Sequence, residues 1–411
     1  MALSTFLRIS VPFAAMGFVN QASRMVVATM GPAMAVEFEL SASGLGALAA
    51  MFFAAYALFQ LPVGLLIDLH GARRVQIRLA LVAALGFALC AFASDPALLA
   101  AGRFVTGLGV AGALIGLMKA NMQWFPRERL AAVTGAGVFL GAAGSLAASA
   151  PLQALLPLIG WRGGFLLLAA LSCATSLWIA FSVPTEPPGP PRAKRRLGLE
   201  IAEFGRIFRH PVFTRNMPAM ALLAGLVFTY QGLWLGPWLR DVGGLDGEAR
   251  GLVLLCFSIG IMLGQLLAGQ LASALQARGI DPMRVPFFGI ALMALAQALL
   301  IVAPQGLWSL CLLWFGFAYA GSCGPVAYAV LAQRFPADLT ARVTTALNFS
   351  MLSLVFVLQN VIGWILDLFP RQADGGWDPA GYAWAIGLTL ALQALTVLWL
   401  MLGPRAREGE G

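Results

Sequence analysis

Charge is what this sequence has least of. Only 11% of its 411 residues are Asp, Glu, Lys or Arg, against 60% hydrophobic residues and a mean hydropathy of +0.84. A soluble globular protein needs about 25% charged residues to cover its surface, so much of this surface faces something other than water. Chemically active residues are scarce too, with two histidines and five cysteines. The cysteines, at 90, 173, 256, 311 and 323, are scattered through apolar stretches without ligand or framework spacing. They read as small packing residues, not disulfides or a metal site. No nucleophile–base pair, metal-ligand cluster or phosphate-cradling loop stands out. An enzyme, a resident cofactor and a nucleotide-driven pump are therefore not expected, and neither is a nucleic-acid partner.

What is abundant is apolar sequence. A helix needs about 20 mostly apolar residues to cross the hydrocarbon core of a bilayer. Such stretches fall at 11–36, 44–68, 75–94, 98–122, 131–156 and 163–183, then at 214–240, 248–274, 284–303, 307–333, 341–368 and 380–402. The expected fold is all-α and polytopic: a six-helix bundle over 1–183, a linker over 184–212 and a second six-helix bundle over 213–411. The first apolar stretch lacks a small-residue cleavage site and reads as a retained helix.

The linker starts Val-Pro-Thr-Glu-Pro-Pro-Gly-Pro-Pro and continues with Arg192, Lys194, Arg195 and Arg196. Its prolines favour an extended, semi-rigid chain. Leu197, Ile201, Phe204 and Phe208 then recur at helical spacing beside Arg206 and Arg209. That pattern suits a helix lying on the membrane surface, with a solvated basic loop as the alternative.

Lys and Arg set orientation through their excess in cytoplasmic loops. With the N-terminus cytoplasmic, that side receives 19 of the 26 basic residues, whereas the opposite loops carry Glu37, Glu39, Asp95, Asp246, Glu248, Asp374 and Asp378. Both termini are expected in the cytoplasm, in a multi-pass monomer of a cell membrane, the inner membrane of a bacterium.

The chain also repeats itself. Trp124-Phe125-Pro126-Arg127-Glu128-Arg129-Leu130-Ala131-Ala132-Val133-Thr134 has a counterpart in Arg334-Phe335-Pro336-Ala337-Asp338-Leu339-Thr340-Ala341-Arg342-Val343-Thr344, 210 residues on. Gly31-Pro32, Gly46, Gln60 and Gly64 match Gly236-Pro237, Gly251, Gln265 and Gly269 at an offset of 205. Their order and near-constant spacing point to a parallel duplication of six spans, an architecture of alternating-access transporters.

Between the second and third spans stands Gly64-Leu65-Leu66-Ile67-Asp68-Leu69-His70-Gly71-Ala72-Arg73-Arg74. Gly64 lets another helix approach, Gly71 permits a tight turn, and Asp68 offers a charge to basic residues or a helix N-terminus. A carboxylate there can latch one conformational state, with Arg73 and Arg74 beside it; an ordinary interfacial Asp is the alternative. This segment resembles the Gly-x3-Asp-x2-Gly-x-Arg-Arg/Lys pattern of the major facilitator superfamily, and the resemblance extends over essentially the whole chain. Within the superfamily the chain looks most like the anion:cation symporters and, more distantly, the organophosphate:phosphate exchangers. That likeness rests on Arg24-x7-Pro32, Phe53-x2-Tyr56-x3-Gln60-x-Pro62-x-Gly64, Arg103-Phe104-x2-Gly107-Leu108-Gly109, Lys119-x4-Trp124-Phe125-Pro126 and Trp161-Arg162-x2-Phe165. Two departures stand out: Val110 occupies a place that is often acidic in those symporters, and Ser23 one that is often Asp.

Arg24 lies near the middle of the first span. A charge there costs about 2.5–3.5 kcal/mol on insertion scales, so it should face protein or a water-filled cavity. Asn20 lies one turn earlier on the same helical face, with Gln21 beside it. Together they suit a carboxylate, phosphate or sulfate group, and the resemblance implies that Arg24 binds the anionic part of a substrate. The alternative is an Arg held by helix-end carbonyls or polar neighbours. Lys119 either joins that site or reaches for the headgroups, and Arg103 reads as a structural interface residue. In the second half the repeat partner of Arg24 is Thr229, so Thr229, Tyr230 and Gln231 are expected as neutral contacts.

No Asp or Glu lies near the centre of any span, and both histidines fall in connections. Proton-driven transport normally needs a group whose pKa changes between states. The expectation is thus a carrier of a small organic or inorganic anion working by exchange, uniport or symport of a proton that the substrate itself brings. A drug/proton antiporter and a non-transporting membrane receptor on the same scaffold are the alternatives.

Overall fold

A computed structural model describes residues 2–126, 129–185, 204–302, 306–336, 339–372 and 375–402. These residues are almost entirely helical, and the single β-bridge among them joins Arg371 to Trp377. Eleven helical stretches among them are long and apolar enough to cross a membrane, and Ala132–Ala147 is a shorter apolar helix. The protein is thus a multi-pass membrane protein.

Its contacts divide the chain into two units, Met1–Lys194 and Arg195–Gly411. In the first, helical turns at Ala2–Thr5 and Phe6–Ser10 lead into α1 (Val11–Glu37), followed by α2 (Ala42–His70), α3 (Ala72–Ala91), α4 (Pro96–Val110), α5 (Ala113–Trp124), α6 (Leu130–Ala147) and α7 (Ala150–Ser182). In the second come α8 (Pro211–Thr229), a π-helical turn (Tyr230–Trp234), α9 (Leu235–Asp241), α10 (Gly247–Ala277), α11 (Arg284–Val302), α12 (Leu307–Gly321), α13 (Gly324–Ala332), α14 (Thr340–Asp367) and α15 (Pro379–Leu402).

Local chemistry sets several helix starts. Ser41, Asp95 and Asp246 accept the N–H of Gly44, Leu98 and Ala249 at 2.9–3.0 Å, which satisfies donors left over in the first turn. Gly71 turns the chain between α2 and α3 at φ +84°, where a Cβ would be strained.

Several spans read as continuous are interrupted. The fourth breaks between Val110 and Ala113, and the tenth breaks at the equivalent place, between Gly321 and Gly324. The fifth breaks at Ala148–Ser149, and Gly160, at φ +63°, separates its end from the sixth within α7. Hydropathy does not register such breaks, because apolar residues continue through them.

The two units share internal details. Arg8 donates to the carbonyl of Ser182 (2.8 Å) and Arg215 to that of Leu400 (2.6 Å), so each unit ties its start to the end of its last helix through an arginine. Of the expected surface helix, Leu197 and Ile201 lie outside the described residues. Residues 204–209 are helical, with Phe204 and Ile207 buried and Arg206 and Arg209 exposed. All five cysteines are free, and three of them are buried.

Candidate substrate site

Arg24 sits at the midpoint of α1, thirteen residues from either end, about 20 Å of helix on each side. Its residue is only 6% exposed. The guanidinium Nε donates to Asn20 Oδ1 at 3.4 Å, a long bond, and Cζ lies 5.0 Å from the centre of the Tyr56 ring. Asn20 is buried and Gln21 partly so.

Tyr56 stacks on Phe52, one turn earlier in α2, with centroids 6.2 Å apart and planes 27° apart. Above Phe52, at 4.7 Å, lies the guanidinium of Arg103, whose Nη1 donates to the carbonyl of Ser23 at 3.2 Å. Arg103 is fully buried, and its Nε and Nη2 have no partner among the described residues. The helices meet here because of glycine: a Cβ on Gly107 would overlap the Phe52 carbonyl, so α4 packs backbone-close on α2 and sets Arg103, one turn away, over Phe52. The outcome is one cluster of α1, α2 and α4 with two cations spread along an aromatic ladder. Arg103 belongs to it. Only its charge inside a span could have flagged it in the sequence.

Lys119 is placed elsewhere. Its Nζ donates to Asp68 Oδ1 at 2.5 Å, with both side chains less than one-third exposed. The expected substrate lysine is thereby joined to the expected latch. Arg73 donates to the carbonyls of Ala180 and Val183 at the end of α7, and Arg74 is exposed. Within its own unit Gly64 is not a tight contact, since a Cβ there would rest 3.8 Å from Ile115.

In the second unit, Thr229 and Tyr230 are taken up by packing. The Thr229 hydroxyl donates to the Gly225 carbonyl (2.8 Å), and its own carbonyl accepts from Gln359 Nε2 (3.1 Å). Tyr230 lies 5.0 Å from Trp314 and 5.3 Å from Phe317, centre to centre. Gln231 differs: it is fully buried, and neither amide atom has a hydrogen-bond partner among the described residues. It lies in the π-helical turn that interrupts the seventh span.

The described ion pairs of carboxylates fall at helix ends or in loops: Glu37 with Arg162, Asp68 with Lys119, Asp241 with Arg240 and Asp281 with Arg334. No group of His, Cys, Asp and Glu among the described residues is arranged to hold a metal ion.

Two apolar helical units, with a cation at mid-depth of the first helix, define a polytopic carrier-type membrane protein. The sequence pattern of the Major Facilitator Superfamily matches residues 13–359, and the chain belongs to that superfamily. It is 24% identical over 306 residues to the probable sulfoacetate transporter SauU of Cupriavidus necator, covering 71% of this chain and 70% of that one. It is 31% identical over 314 residues to human monocarboxylate transporter 11, covering 73% of this chain and 64%, less than two-thirds, of that protein. The crystal structure of a bacterial homologue of the human lysosomal transporter Spinster superposes with a TM-score of 0.73 at 18% identity, over 97% of this chain and 96% of that one; it shares the fold.

Proposed function

We propose that this protein carries a small organic anion across a membrane by alternating access. The observation that supports this most is Arg24: a guanidinium at the centre of a membrane span, over the Tyr56 ring and next to Asn20. A planar fork of N–H donors matches a carboxylate or sulfonate in both charge and geometry. The names of the relatives agree, since sulfoacetate and monocarboxylates are organic acids. Asn20 and Gln21 complete the contacts of the first half.

Transport runs as exchange, uniport or symport of a proton carried on the substrate, because no span of the sequence holds a central Asp or Glu. The protein is a monomer of a bacterial inner membrane, its termini in the cytoplasm, with the halves joined by the 184–212 linker. Asp68, held by Lys119 in this structure, acts with Gly71 and the neighbouring Arg73 and Arg74 as the conformational latch.

A thermal-shift panel of carboxylates, sulfonates and phosphate esters, run on the wild type and on Arg24→Ala, tests the proposal. A ligand that binds only the folded state stabilises it by about 2.7 kcal/mol at 100 times its Kd. A shift by an organic acid that disappears in Arg24→Ala supports the site; a shift retained in full rejects it.

A further inference from the structure

The second unit contains a cavity of about 1240 Å³ between α8, α11 and α15. We propose that it holds an anionic phospholipid of the surrounding bilayer, with the headgroup phosphate at Arg215 and Arg334 and an acyl chain along the apolar wall. Nothing in this inference depends on the transported substrate.

Position comes first. Arg215 lies in the second turn of α8, Asp281 just before α11, Arg334 just after α13, and Leu400 and Met401 at the end of α15. These features mark one end of the unit, and they form the mouth. From there the cavity follows α11 inward to Ala294 and α15 inward to Leu390. Ala294 is ten residues beyond Arg284, about 15 Å along a helix. That equals the hydrocarbon depth of one leaflet, half of about 30 Å. The walls are mainly apolar, including Phe287, Ile290, Ala294 and Val397. Water gains little from such a surface, whereas an acyl chain fits it.

The mouth supplies the headgroup chemistry. Arg215 spends Nη2 on the Leu400 carbonyl (2.6 Å), and Arg334 spends Nη2 on Asp281 (3.1 Å). Each guanidinium has five N–H donors, so both retain donors for phosphate oxygens. Two guanidiniums against one carboxylate leave the mouth net positive. Basic pockets between membrane helices recruit anionic headgroups in this way.

A buried polar side chain borders the apolar wall. Gln393 lines the cavity, is 3% exposed, and has neither amide atom hydrogen-bonded among the described residues. It lies seven residues inward of Leu400, about 10 Å.

In the first unit the third and sixth spans are tied to each other by side-chain hydrogen bonds. Ser176 of α7 donates to the Ile77 carbonyl of α3 (3.1 Å), and Arg73 ties α3 to the carbonyls of Ala180 and Val183. In the second unit Thr389 of α15 donates to Gln297 of α11 (3.0 Å) deeper in, and toward the mouth the cavity lies between the two helices.

The test uses the full chain in detergent, with native mass spectrometry for retained lipid and thermal shift on adding phosphatidylglycerol, phosphatidylcholine or inorganic phosphate. One retained phospholipid per chain is expected, with a saturable shift from phosphatidylglycerol, a weaker one from phosphatidylcholine and none from phosphate. Ala294→Phe, which fills the cavity, should abolish the shift. Arg334→Gln, at an exposed position, should weaken phosphatidylglycerol binding about fivefold, the equivalent of ~1 kcal/mol per basic residue at a membrane surface. Equal responses to both lipids, a full shift from phosphate alone, or an undiminished response in a folded Ala294→Phe protein each overturn the proposal. Should Ala294→Phe not fold, undiminished phosphatidylglycerol affinity in Arg334→Gln overturns it.

Discussion

Arg103 Nη1 donates to the main-chain carbonyl of Ser23, the residue directly before Arg24, at 3.2 Å. A buried cation of α4 thus holds the backbone of α1 at the level where the proposed binding cation leaves it. Both guanidiniums also rest on one aromatic ladder, Phe52 and Tyr56. In the proposed site, Arg103 would position Arg24 through that carbonyl.

Arg103→Met separates that role from a role in folding. Replacing a buried charge by an apolar side chain of similar size is often neutral or stabilising, so the melting temperature in detergent should hold or rise. Anion affinity should fall, and Arg103→Lys, which keeps the charge without the fork, should recover part of it. A large drop in melting temperature with affinity intact would give Arg103 a purely structural role.

Lys119 should be dispensable for ligand affinity, because Asp68 already holds its ammonium group. Lys119→Met is expected to leave the ligand Kd unchanged. A double-mutant cycle with Asp68→Asn should give a coupling of at most ~1 kcal/mol for this partly exposed pair. A Kd that rises in Lys119→Met while Asp68→Asn has no such effect would return Lys119 to the substrate site.

Much of this arrangement was legible in the sequence. Asn20 and Arg24 share a face because they are four residues apart on a helix, and the span boundaries follow from runs of apolar residues. The Lys119–Asp68 pair was not legible: its members are 51 residues apart, and only the packing of α2 against α5 brings them together. Arg103 carried the same charge-in-a-span signal as Arg24, but its place near the end of an apolar stretch made it look like an interface residue. Glycine-driven closeness at Gly107, which sets its depth, has no counterpart in hydropathy. In the second half the duplication pointed to Thr229, Tyr230 and Gln231 without distinguishing the packed pair from the unbonded amide.

That amide gives a further expectation. Leaving a buried polar group unbonded costs about 1–3 kcal/mol, so Gln231→Leu should raise the melting temperature of the ligand-free protein. An unchanged or lower melting temperature would contradict this.

The central claim is that Arg24 receives the anion, and counterflow of a radiolabelled organic acid in liposomes tests it most directly. The account predicts saturable counterflow by the wild type and a loss of about tenfold or more in Arg24→Gln, since hydrogen bonds to a charged group contribute about 1.5–3 kcal/mol. The variant should melt no lower than the wild type. Undiminished counterflow in a folded Arg24→Gln protein would contradict the account.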